Sequence, residues 1–89
     1  MHGLMMDTPL LITEIMRFAD RNFADREIVS VTFDDPRHRT NWGEVFRRAR
    51  KLANALQAAG VRQGDRVATL AWNDYRHLEL YYAVSCMGA

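Results

Sequence analysis

The stretch Ala71-Trp72-Asn73-Asp74-Tyr75 sets an indole, a carboxamide, a carboxylate and a phenol together at the end of an apolar run. Open α/β sheets hold their ligands just beyond the carboxyl ends of parallel strands, where such groups can converge. Trp72, Asn73 and Tyr75 are therefore the candidates for a binding crevice, with helix capping and packing as the competing explanation. A second stretch, Gly60-Val61-Arg62-Gln63-Gly64-Asp65, carries two glycines. A phosphate cradle needs its glycines after a strand and opening a helix, whereas these precede an extended run. They read as a helix cap and a turn.

The remaining reactive side chains form no constellation. His2, His38 and His77 fall in an N-terminal tail, a turn and a helix start, with no Cys or His at ligand spacing, so no metal site is expected. Cys86 has no base near it in sequence and sits among apolar neighbours, which suits an inert buried thiol. The run Arg47-Arg48-Ala49-Arg50-Lys51 lies on the polar face of an amphipathic helix and has no interleaved aromatic, so it reads as a solvated face. No catalytic and no metal-binding residue is assigned.

Composition sets the frame for these elements. A chain of 89 residues with 48% hydrophobic and 26% charged residues is globular in character, either one small domain or a piece of a larger one. A net charge of +1 supplies no long-range field for nucleic acid or anionic lipid. The single cysteine excludes an internal disulfide and suits a reducing, cytoplasmic setting. The first sixteen residues carry no positive charge ahead of their apolar positions and no small-residue cleavage site, so they make a poor secretory signal. No apolar run approaches the length of a membrane span.

Asp7-Thr8-Pro9 has the form of a helix start, and Leu11, Ile12, Ile15, Met16 and Ala19 follow at helical spacing, predicting a helix over about 9–22. Glu27–Phe33 alternates and is β-branched, which predicts a strand. The Asp34-Asp35-Pro36 turn then leads to a short return strand at Arg39-Thr40. Asn41-Trp42-Gly43-Glu44 has capping-box form. It opens a helix whose stripe is Val45, Phe46, Ala49, Leu52, Ala53 and Leu56, closed by Gly60 with Val61 as the contact after the cap. Arg66–Trp72 is predicted as a buried strand, and Asn73 or Asp74 caps a last helix over about 75–87 that Gly88 ends.

Helix, hairpin, helix, strand, helix is the pattern of an α/β fold. A strand, a long helix and a second strand imply a right-handed crossover within a parallel sheet. The expectation is a partial parallel sheet with flanking helices, because two such strands leave most of a sheet unbuilt. The closing helix carries the same message. Leu78, Tyr81, Tyr82 and Cys86 share a face while Leu80, Val84 and Met87 occupy others, so its second half is built for burial all round. Self-association through an exposed Tyr81–Met87 face is expected of the isolated chain.

From Thr40 to Ala89 the chain resembles the N-terminal region of the acyl-adenylate-forming enzymes, and more closely the AMP-forming fatty-acid–CoA ligases. Asn41, Trp42, Gly43, Glu44, Leu56, Gly60, Val61, Gly64, Asp65, Arg66, Val67 and Ala68 all fit that pattern. The closing stretch, Arg76-His77-Leu78-Glu79 through Tyr82-Ala83-Val84 to Met87-Gly88-Ala89, points to the medium- and long-chain acyl subgroup. Ser85 stands where that pattern has proline.

The resemblance implies that residues 1–89 are the truncated N-terminal portion of a large AMP-binding (adenylation) domain. The whole protein would then activate a fatty acid with ATP and Mg²⁺ to an acyl-adenylate and transfer it to CoA. It also implies a cytoplasmic protein, peripheral to the membrane at most. The phosphate loop and the catalytic lysine of that family have no counterpart in these residues, so the chain alone is expected to be inactive and to bind no cofactor. Two alternatives stay open: a free-standing interaction or dimerisation module of the same fold, and a ligase of the same superfamily for a different carboxylic acid.

Overall fold

The computed structural model describes residues 3–89; His2, one of the three histidines considered above, lies outside them. Its elements in chain order are helix α1 (Ile12–Phe23), strands β1 (Glu27–Ser30) and β2 (His38–Asn41), helix α2 (Trp42–Ala58) and helix α3 (Tyr75–Cys86).

α2 forms where local chemistry is most complete. The Asn41 Oδ1 accepts the Glu44 N–H at 2.8 Å, satisfying one orphan donor of the first turn. The capping box is only half made, because the Glu44 carboxylate turns outward to Arg47 at 2.7 and 3.0 Å. Val45, Phe46 and Ala49 are buried, as the stripe predicts. The helix ends with Gly60 at a φ of +104°, a left-handed conformation that suits glycine, and the Val61 N–H reaches back to the Leu56 carbonyl at 3.0 Å.

α1 begins at Ile12 rather than near Pro9, and its N-cap, Leu11, makes no side-chain capping bond. Residues 3–11 are exposed, so nothing packs against them to hold an extra turn. The hairpin is present, with Glu27 opposite Asn41 and Ser30 opposite His38 in antiparallel register. β1 stops at Ser30 instead of Phe33 because Thr32 starts the turn. Its N–H donates to the Asp35 carbonyl at 2.8 Å, and its hydroxyl accepts the Asp35 N–H at 2.9 Å.

Residues 66–72 correct the expected sheet. They form no strand, and the sheet that exists is the two-stranded antiparallel hairpin. Among the described residues, the backbone of 66–71 makes no hydrogen bond to other backbone groups. An extended segment becomes a strand only when a neighbour pairs with it. Here none does, and Leu70 and Trp72 stand in solvent. The protein shown is therefore a mixed three-helix and hairpin assembly, not a parallel sheet.

The core lies where the three helices meet. Met16, Val45 and Phe46 are buried, with Ala19, Ile28, Trp42, Leu78, Tyr82 and Cys86 packed around them. The Phe46 and Tyr82 rings meet edge to face at 5.2 Å, and Trp42 lies against Phe46 at 5.4 Å. Burial pushes the Tyr82 phenol above its ordinary pKa. α3 is capped by Asp74, whose Oδ1 accepts the Arg76 and His77 N–H groups at 2.9 and 3.2 Å, so Asp74 rather than Asn73 is the cap. It is not buried all round: Ala83 and Glu79 are buried, Tyr81 is exposed, and the rest of its second half is half-buried.

Candidate functional site

The structure separates the three crevice candidates. Trp72, 82% exposed, and Asn73 line a shallow open recess of about 330 Å³ with Val31, Thr32 and Phe33. Tyr75 does not join them. Its ring stacks on His38 at 3.8 Å between centroids and 9° between planes, fastening the start of α3 to β2. The guanidinium carbons of Arg76 and Arg48 lie 5.0 and 5.9 Å from the centre of the same ring. Tyr75 is thus occupied in packing, and only Trp72 and Asn73 remain open to a ligand.

One rim of the recess is ordered by the turn after β1. The Thr32 hydroxyl donates to Asp34 Oδ1 at 2.8 Å, which holds the Asp34 carboxyl below its ordinary range, aided by its own backbone and by Arg76. Arg76 reaches Asp34 at 3.5 Å and Asp74 at 3.8 Å, so two carboxylates beside the recess share one cation. Its largely apolar and aromatic walls can receive an apolar group. The Asn73 carboxamide is the polar group left open beside them.

His77 Nε2 is 3.2 Å from the Thr69 hydroxyl, while the His38 Nδ1 is buried without a hydrogen-bond partner. No group of three or more His, Cys, Asp or Glu side chains is placed to hold a cation among the described residues. Cys86 is half-buried, and its Sγ approaches Met16 Sδ at 3.6 Å. The basic run of α2 is largely neutralised: Arg47 pairs with Glu44, Arg48 with Glu79 and Arg50 with Asp20. Gly60 and Gly64 open no helix. With positive φ, they end α2 and turn the chain.

Sequence reasoning missed Glu79. It reads as a surface charge in the first turns of α3, yet it is buried at 6% exposure with Arg48 Nε 2.6 Å from its Oε1. The detectable signal was its position one turn after Tyr75, on a helix otherwise apolar beyond that point.

The model of the AMP-binding enzyme family matches residues 16–89. The 3-methylmercaptopropionyl-CoA ligase of Ruegeria lacuscaerulensis is 49% identical over 88 residues, 99% of this chain and 16% of that protein. The medium-chain-fatty-acid–CoA ligase of Ectopseudomonas oleovorans is also 49% identical over 88 residues, with the same coverage. The long-chain-fatty-acid–CoA ligase of Thermus thermophilus is 47% identical over 85 residues, 96% of this chain and 16% of that protein. The chain thus spans about 16% of the length of the curated relatives it matches. A family match over most of the chain and near-half identity to three CoA ligases lead to one statement: this chain belongs to the AMP-binding enzyme family.

Proposed function

We propose that residues 1–89 are the N-terminal portion of the AMP-binding domain of an ATP-dependent, AMP-forming acid–CoA ligase, acting on medium- or long-chain fatty acids. The observation that carries this reading is the identity of 47–49% over almost the whole chain to relatives named as fatty-acid–CoA ligases. The whole protein would use ATP, Mg²⁺ and CoA. The residues described here do not fit those groups, since no glycine-rich turn opens a helix and no acidic cluster is set for a cation. The chain's part in the reaction is therefore scaffolding, and alone it should be inactive.

In the larger domain, residues 66–72 would pair as a strand of a parallel sheet, with Trp72 and Asn73 at its carboxyl end beside a binding crevice. The unpaired backbone and exposed apolar side chains of that segment support this assignment. A cytoplasmic location with at most peripheral membrane contact fits the reading. No helix among the described residues is long and apolar enough to cross a membrane.

A second reading changes only the acid. A relative equally identical to this chain is named for 3-methylmercaptopropionate, a short thioether acid. Competition between saturated acids of graded length and that thioether acid, assayed on the full-length protein, separates the two. A higher kcat/KM for acids of medium length or longer supports the first reading, and preference for the short acid overturns it.

A further inference from the structure

The end of segment 66–72 takes its position from the start of α3. The Asp74 N–H donates to the Trp72 carbonyl at 3.0 Å, and the Thr69 hydroxyl lies 3.2 Å from His77 Nε2. Tyr75, between them, is where that start meets the rest of the chain. β2 lays the His38 ring flat on it at 3.8 Å and 9°. α2 brings Arg48 to 5.9 Å from its centre. Arg76 lies 5.0 Å from the same centre and reaches Asp34, in the turn after β1, at 3.5 Å. The Thr32 hydroxyl in turn donates to Asp34 at 2.8 Å. Both walls of the recess, Val31–Phe33 on one side and Trp72 with Asn73 on the other, are thus tied to one column of His38, Tyr75 and Arg76.

His38 serves that column through the face of its ring. Its Nδ1 is buried without a hydrogen-bond partner, which costs free energy and returns no bond. What the position gains is the flat stack on Tyr75. The charges then select what the walls can hold. Asp34 and Asp74 share Arg76, and this excess of negative charge disfavours a phosphate-bearing group. Val31, Phe33 and Trp72 suit a hydrocarbon chain.

We propose that His38 is a positioning residue for the acyl chain of the acid: its stack on Tyr75 sets the spacing between Val31–Phe33 and the strand end at Trp72 and Asn73, where that chain lies. The inference rests on the ligase reading above. Initial rates of AMP formation by the full-length protein test it, with dodecanoate and ATP varied in turn. His38→Ala should raise the KM for dodecanoate roughly three- to tenfold, on the scale of one aromatic pair, and leave the KM for ATP unchanged. His38→Phe, which restores a flat ring and has no buried nitrogen, should return the KM for dodecanoate to the parent's value. A general loosening of the fold would move both constants or kcat instead. A dodecanoate KM unmoved by His38→Ala, a KM for ATP that rises in step with it, or a Phe variant no better than the Ala variant overturns the proposal. If His38→Ala does not fold, His38→Leu, which keeps bulk without a flat face, carries the same expectations. A parent that forms no AMP with dodecanoate removes the fatty-acid ligase reading and this inference with it, whereas an active parent matched by His38→Ala removes this inference alone.

Discussion

Arg48 Nε donates to Glu79 Oε1 at 2.6 Å, tying the middle of α2 to α3 across 31 residues of chain. Glu79 is buried while half of the Arg48 side chain is exposed. The carboxylate therefore carries the desolvation cost, and the guanidinium offsets it from the surface side. The bond also raises the pKa of Arg48, chiefly through the hydrogen bond and then through the charge of Glu79.

Arg48→Met should destabilise the chain by about 1–3 kcal/mol, because it leaves a buried carboxylate without its partner. Adding Glu79→Leu should recover most of that loss. Urea unfolding of the four members of the double-mutant cycle measures the coupling, and additive effects would contradict the assigned pairing.

Tyr82 gives a pH dependence of defined sign. Burial raises its folded pKa above the unfolded value, so the stability it contributes is complete below about pH 10 and lost as pH rises through the folded pKa. Tyr82→Phe should flatten the alkaline fall in urea midpoint. An unchanged profile would mean that the phenol ionises as readily in the folded state as in the unfolded one.

Gly88 has a φ of +86°, and a Cβ there would meet Gln63 Cγ at 2.9 Å. Gly88→Ala should cost about 1–2 kcal/mol, from the left-handed backbone and the contact together. Combining it with Gln63→Ala should return only the contact's share. Thermal melts of the three variants separate the two contributions.

Asn41→Ala should cost about 1 kcal/mol by removing the α2 cap, whereas Asn41→Asp should be close to neutral. Equal losses for both would show that the Oδ1–Glu44 bond is not what holds the helix start.

How much was legible follows from the range of each interaction. α2 and the caps at Asn41 and Gly60 depend on residues within five positions and were readable, except that Glu44 turns to Arg47 instead of closing the capping box. The hairpin was readable because its strands are adjacent in sequence, though the Thr32 hydroxyl network shortened β1 in a way alternation does not report. The start of α1 was misplaced because Asp7-Thr8-Pro9 carries a local signal that packing never reinforces. The parallel sheet failed for a non-local reason: 66–72 has strand chemistry but no neighbour to pair with. Of the candidate crevice, Trp72 and Asn73 share a recess, while Tyr75 is drawn away by His38, 37 residues earlier in the chain.

Trp72 reports on that missing neighbour. In a Trp42→Phe background, its fluorescence in the 89-residue chain should resemble exposed indole and be readily quenched by iodide. In the full-length protein the emission should shift to the blue and quenching should fall severalfold, as expected for a strand end covered by a sheet. Equal quenching in both would contradict the assignment of 66–72 to that sheet.

The central claim is that this chain opens an AMP-forming acid–CoA ligase, and the most direct test is the product balance of the full-length protein. Supplied with ATP, Mg²⁺, CoA and a medium- or long-chain fatty acid, it should yield AMP, pyrophosphate and acyl-CoA in equal amounts, with AMP formation dependent on the acid. Formation of ADP instead, or no acid-dependent AMP with any carboxylic acid offered, would contradict the account.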